Sequence, residues 1–340
     1  MATRPESAAD EQPDDFDEED ASLPGDPVLN ELAWDLVQQL LNAVEEFRVE
    51  PVDHESGAII LDFGIDAPGS LGAGLALAES CLSGLAEVTL RQGTIGASGW
   101  PHVWVQTDHP LEACLLSQYA GWQLAQGKYF AMGSGPMRAA ARKEPLFEQL
   151  GYSEAAQGVV GVLESRQIPT SAIVELIADA CGVDTSSIAL LVAPTASPAG
   201  NLQVVARSVE TAMHKLHELK FDVTRVESAC GWAPLAPVAG SDLEGIGRTN
   251  DAILYGGQVT LFVTGDDESI VEIGPRIPAS GSAAFGQPFL ELFEAAGRDF
   301  YKLDPMLFSP AEVLIHNLDT GRVHHFGGVR PDVLRKSFGL

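Results

Sequence analysis

Arg207 and Glu210 stand three residues apart where a small-residue loop gives way to helical periodicity. Side chains at that spacing are neighbours on one helical turn. The stretch from 192 to 219 opens as an apolar run and breaks at Pro194, Ser197, Pro198 and Gly200. It then repeats Val205, Val209, Ala212, Met213, Leu216 and Leu219 at core spacing. A polar loop entering a helix N-terminus is a frequent ligand position. There, a guanidinium favours the ionised form of a carboxylate and keeps it able to take a proton from water. The same carboxylate would stabilise a cationic substrate until attack. Taken alone, the pair also matches the common exposed ion pair, which contributes only tenths of a kcal/mol and performs no chemistry.

Three further groups carry possible chemistry. Asp108 and His109 could form a base and its orienting partner with Cys114 as nucleophile, but nothing places that thiol against the imidazole, and a buried helical cysteine is the better explanation of Cys114. Gly133-Ser134-Gly135-Pro136 resembles an anion-binding turn with Arg138 one turn later, but it lacks the Lys-Ser/Thr of a P-loop. Glu210, His214 and His217 have spacings that could reach one metal. No H-E-x-x-H and no fourth ligand accompany them, and a solvated helix face accounts for the same residues.

The elements that must position these groups follow from periodicity. Apolar residues recur every three or four over 29–47, which predicts a helix. A strand at 58–63 leads through a glycine-rich turn into a helix reaching about 85, with strands at 86–91 and 102–107. Pro110 suits the first turn of a helix predicted to run to about 125. Strands are predicted at 128–132, 158–164, 187–193, 221–227 and 257–264, and helices at 170–181 and 288–298, with a closing hairpin around Asp319-Thr320-Gly321. Strands and helices alternate without a fixed repeat. The expected fold class is therefore α/β in mixed α+β layers, as two layered α/β domains, roughly 28–150 and 151–340, between which the chain is free to cross.

Composition narrows the function. The 340 residues exceed one comfortable core, and 45% hydrophobic content indicates a globular protein. Residues 1–27 hold ten acidic residues against Arg4, the composition of a disordered tail, and carry −9 of the −28 net charge. The other −19 disfavours nucleic acid as a partner. No apolar run spans a bilayer and no secretory signal opens the chain, so the expected compartment is the cytoplasm. Four dispersed cysteines without C-x-x-C fit reduced thiols.

Six ordered strings carry a resemblance: DAPGSLGAGL, TDHPLEACLLSQYAGWQL, KYFAMGSGPMRA, LVAPTASPAGNLQVVARSVETA, GRTNDAILYGG and DFYKLDPMLFSPAEVLIHNLDTG. Together they extend from about Leu29 to the end, and they resemble the methenyltetrahydromethanopterin cyclohydrolase family. The resemblance implies reversible hydrolysis of the methenyl bridge of a reduced pterin carrier to a formyl group, a step shared by formaldehyde oxidation and carbon dioxide reduction. It implies a cleft between two α/β domains, a homotrimer, and no metal or redox cofactor. It places the catalytic pair on Arg207 and Glu210, with Glu210 as general base and Arg207 tuning it. Asp108, His109, Ser134, Arg138, Thr195, Asn250, Asp251 and Lys302 are the polar residues of the matching strings and the candidates for lining the cleft. The acidic extension, His214 and His217 have no counterpart in the family pattern, and Trp232 falls where a small loop residue is expected. The competing readings are a metal-dependent hydrolase built on Glu210, His214 and His217, and a non-catalytic pterin-binding or scaffold protein.

Overall fold

Among the described residues, short β-branched and leucine-rich runs supply twelve strands, which assemble into two six-stranded mixed sheets. The computed structural model describes residues 28–119, 121–299 and 302–340, so the acidic segment 1–27 lies outside the described residues. In chain order the strands are β1 (Glu50–Val52), β2 (Ile59–Asp62), β3 (Glu87–Ile95), β4 (Ser98–Thr107), β5 (Trp122–Gln126) and β6 (Tyr129–Ser134). They continue with β7 (Val159–Glu164), β8 (Ile188–Ala193), β9 (Val226–Pro234), β10 (Gln258–Val263), β11 (Glu312–Asn317) and β12 (Val323–Gly327). The first sheet has the order β1-β2-β8-β7-β6-β5, and the second β12-β11-β10-β9-β4-β3.

In the first sheet, β2, β8 and β7 run parallel. Every residue of β8 is buried, as a parallel strand covered on both faces requires. One face packs Leu61, Val160 and Leu191 against Ala33, Val37 and Leu77 of the helices Leu29–Leu41 and Leu71–Cys81. The opposite face packs Ile60, Leu163 and Leu190 against Met137 and the Ile173–Ile177 stripe of the helix Ser171–Cys181. The second sheet packs Val105, Val259 and Leu261 against Val209, Met213 and Leu216 of the helix Ser208–Glu218. Each such side chain contributes about 1.5–3 kcal/mol on burial. This helix is therefore anchored by its apolar stripe, which leaves its polar face to the cavity described below.

The chain passes between the sheets three times, since β3 and β4 join the second sheet while β5 to β8 return to the first. A division near 150 falls between β6 and β7, which are hydrogen-bonded neighbours.

Several elements differ from the sequence expectation. The first helix ends at Leu41 and resumes only for Val44–Phe47, after which Arg48 takes φ +57°. The helix expected to run to about 125 is an eight-residue π-helical segment, Leu111–Gln118, and the chain is in β5 by Trp122. The strand expected at 221–227 begins at Val226. Trp232 lies on β9, stacked on Trp104 at 4.4 Å, and not in a loop beside the cleft. Among the described residues, no helix is long and apolar enough to cross a membrane.

Candidate functional site

A cavity of about 590 Å³ opens over the ends of β7 and β8, where parallel strands of α/β sheets present ligand sites. Glu164 is the last residue of β7, and Thr195 follows β8; both line the cavity. The chain then turns into the helix Pro198–Val205, capped by Ser197, whose hydroxyl accepts from the Gly200 N–H at 3.0 Å. Ala206 and Arg207 break the helical run, so Arg207 becomes the N-cap of the helix Ser208–Glu218 and Glu210 enters its first turn. Glu210, Thr211 and His214 face the cavity from this helix. From the second sheet's layer, Ile246, Thr249, Asn250 and Ile253 face it along the helix Asp242–Gly256 at intervals of three and four residues.

Arg207 does not pair with Glu210. Its Nη1 donates to the Gln118 carbonyl at 2.5 Å, and its Nη2 donates to Ser134 Oγ at 3.0 Å and to Glu164 Oε1 at 3.2 Å. The Gln118 carbonyl is available because the π-helical segment ends there, with Tyr119 N–H bonded five residues back to the Cys114 carbonyl. The carbonyls of this segment are otherwise held by the Gly135 N–H and by Arg138 Nη1. Gly135 has φ +87°, a conformation that glycine adopts without strain.

Glu210 is 4% exposed and accepts no side-chain hydrogen bond among the described residues. Burial pushes its carboxyl up to about 7. The positive charges of Arg207 and Arg138 oppose that rise, and the negative charge of Glu164 adds to it. Desolvation wins because neither guanidinium makes a direct hydrogen bond to this carboxylate. The expectation that Arg207 keeps Glu210 ionised thus holds only in direction, since the net shift is upward. Burial likewise raises Glu164, with Arg207 opposing.

The other cavity charges nearly cancel. Arg166 and Asp242 form a bidentate pair at 2.5 and 2.8 Å, tying the end of the first sheet to the start of the helix Asp242–Gly256. The remaining lining charges are Glu164, Glu210 and Arg207, which sum to one negative charge when both carboxylates are ionised. His214 lies flat on Tyr119 at 4.7 Å, and burial pulls its imidazole down to about 4, so it is neutral near pH 7. Such a cavity suits a cationic, flat ligand better than an anion.

Of the sequence candidates, Arg207, Glu210, Thr195 and Asn250 line this cavity. Ser134 is fully buried behind Arg207 and reaches the cavity only through it. Arg138 is also fully buried, ion-paired with Glu144 at 2.9 Å and stacked on Tyr119 and Phe147, so it braces the wall without touching the interior. Asp251 points the other way, accepting from the Phe289 N–H at 2.8 Å. Asp108 and His109 line a separate cavity of about 730 Å³, where Asp108 accepts from Ser228. Lys302 is exposed and pairs with Asp299 at 3.4 Å.

His214 is taken up by Tyr119 and by Glu218 at 3.8 Å, and no cluster of three or more His, Cys, Asp or Glu placed to hold a metal ion occurs among the described residues. Sequence reasoning missed Tyr119, Glu164, Arg166 and Asp242. Of these, Glu164 had a signal, as the single charge closing the apolar strand VVGVLE.

The profile of the cyclohydrolase (MCH) family matches residues 28–338, which is all but the acidic extension and the last two residues. The chain belongs to that family. It is 49% identical over 320 residues to the methenyltetrahydromethanopterin cyclohydrolase of Rhodopirellula baltica, covering 93% of this chain and 96% of the relative. It is 44% identical over 312 residues to the protein of that name from Methanospirillum hungatei, covering 92% and 98%. With the one from Methanocaldococcus jannaschii it shares 40% identity over 316 residues, covering 92% and 98%. Arg207, Glu210, Glu164 and Thr195 all fall within the matched range.

Proposed function

We propose that the chain hydrolyses 5,10-methenyltetrahydromethanopterin to the 5-formyl compound, with Glu210 as the general base. One observation carries this reading: a buried carboxylate that accepts no hydrogen bond among the described residues, raised to about 7, faces a cavity whose lining holds one net negative charge once Glu164 and Glu210 are both ionised. The methenyl bridge is a carbon between two nitrogens that share a positive charge, so it is already electrophilic. Glu210 takes a proton from water while the water oxygen bonds to that carbon. The adduct then loses its hydroxyl proton as one C–N bond breaks. The freed nitrogen takes a proton, and the formyl group stays on the other. One water is consumed and one proton released, and the reverse path uses the same groups.

A base with a pKa near the working pH combines a useful ionised fraction with driving force for proton transfer. Arg207 fixes the helix start and moderates the rise in Glu210 without quenching it. The reading extends to a homotrimer in the cytoplasm acting without metal or redox cofactor. Turnover is followed as loss of the methenyl chromophore's near-ultraviolet absorbance, with EDTA present. Metal-independent hydrolysis supports the reading; a protein that binds the pterin yet leaves the chromophore intact overturns it in favour of a binding or scaffold role.

A further inference from the structure

Three carboxylates line the cavity: Asp242 is neutralised by Arg166, and of Glu164 and Glu210 the proposed reaction requires only Glu210. Glu164 closes β7, where its backbone is held between β6 and β8 through the Met132 and Ala193 registers. Its Oε1 accepts from Arg207 Nη2 at 3.2 Å, its side chain is 19% exposed, and Oε2 accepts no hydrogen bond among the described residues. Arg207 has other acceptors, namely the Gln118 carbonyl and Ser134 Oγ. Glu164 is thus more than the guanidinium needs, because Arg207 would stay anchored on two sides without it.

The charge count gives Glu164 a separate consequence. With Glu164 ionised, the lining holds two carboxylates against Arg207, since Arg166 and Asp242 neutralise each other and the buried Arg138 is matched by Glu144. Replacing Glu164 by a neutral group would bring the lining to zero while leaving Glu210 in place. Coulombic attraction inside a partly enclosed site is stronger than at a fully exposed surface. One charge at this position therefore separates ligands that differ by one charge.

We infer that Glu164 is the charge-selecting residue of the cavity: it favours the methenyl compound, with its positively charged bridge, over forms of the same pterin that lack that charge. The inference rests on the reaction proposed above. It goes further by giving the second carboxylate a role in specificity.

The test compares wild type, Glu164→Gln and Glu164→Asp with two ligands. One is the methenyl cation, read as KM and kcat from initial rates. The other is unsubstituted tetrahydromethanopterin, a competitor that lacks the positive charge of the bridge, read as Ki. For Glu164→Gln, whose amide oxygen can still accept from Arg207, the KM for the cation should rise at least ~10-fold while Ki for the unsubstituted pterin stays within about 2-fold. Glu164→Asp, which keeps the charge, should recover most of the lost cation affinity. Equal weakening of both ligands, or an unchanged KM in Glu164→Gln, overturns the inference. So does a failure of aspartate to recover more than glutamine. A wild-type protein without turnover defeats the underlying reaction instead, so the two failures are distinguishable.

Discussion

The guanidinium of Arg207 reaches Glu164 at 3.2 Å on a neighbouring strand, although Glu210 lies only three residues along its own helix. Arg207 is the N-cap, so its side chain leaves the helix before the regular turn begins and heads for the Gln118 carbonyl and Ser134. Glu210 is left buried with no direct cation. Burial without compensation is what lifts a carboxylate towards neutral pH.

That lift has a stability cost with a definite sign. Glu210 rises from 4.5 to about 7 on folding, so the protein loses stability as pH climbs through this window, because the unfolded chain ionises first. Glu210→Gln removes the titration. Its melting advantage over wild type should grow by about 2 kcal/mol between pH 5 and pH 8. Thermal unfolding at the two pH values checks this; an equal difference at both contradicts it.

Asp251 obeys the same rule outside the site. Burial raises it from 3.8 to about 7, against the opposing hydrogen bond from the Phe289 N–H. Glu291 and Lys336 also face it with opposite signs. Asparagine retains an acceptor for that N–H. Asp251→Asn should therefore melt higher at pH 8 and keep kcat within about 3-fold of wild type. A loss of activity beyond about 10-fold would return Asp251 to the substrate site.

Ser134 acts through Arg207. Ser134→Ala leaves a buried guanidinium N–H short of one acceptor, which costs about 1–3 kcal/mol of stability. Steady-state kinetics should show kcat reduced by about 10-fold with KM changed by less than about 3-fold, the pattern of a misplaced reacting group.

Much of this site was legible in the residues, and the exceptions have physical causes. The apolar stripe that anchors the helix Ser208–Glu218 and the Ser197-Pro198 helix start are local patterns, and the structure carries both, while Arg207 and Glu210 both line the cavity without pairing with each other. The helix break at Ala206 and Arg207 was not readable, because no proline or glycine marks it. The π-helical segment was also hidden, since Leu111–Gln118 has ordinary helical composition while its widened turn depends on Arg138 and the Gly135 N–H arriving from β6. Glu164 and Asp242 were missed because their importance comes from strand order and layer contact, which appear only once β7 and the helix Asp242–Gly256 face the same cavity. Asp108 and His109 lie apart from the Glu210 cavity for the converse reason. They follow the end of β4, which the chain assigns to the second sheet, so their motif opens onto the other cavity.

His109→Ala and Lys302→Ala test that separation. Neither side chain lines the Glu210 cavity, so each variant should hold kcat/KM within about 2-fold of wild type. A 10-fold loss in either would bring its residue back to the pterin.

The most direct measurement is the pH dependence of kcat/KM for wild type and Glu210→Gln, taken from initial rates of chromophore loss. The wild-type rate should climb with pH through an apparent pKa near 7 and then level, as Glu210 ionises in the free enzyme. Glu210→Gln should be at least ~100-fold slower and lack that rise. A variant that keeps the wild-type rate, or keeps the same pH-dependent rise, would show that Glu210 is not the base.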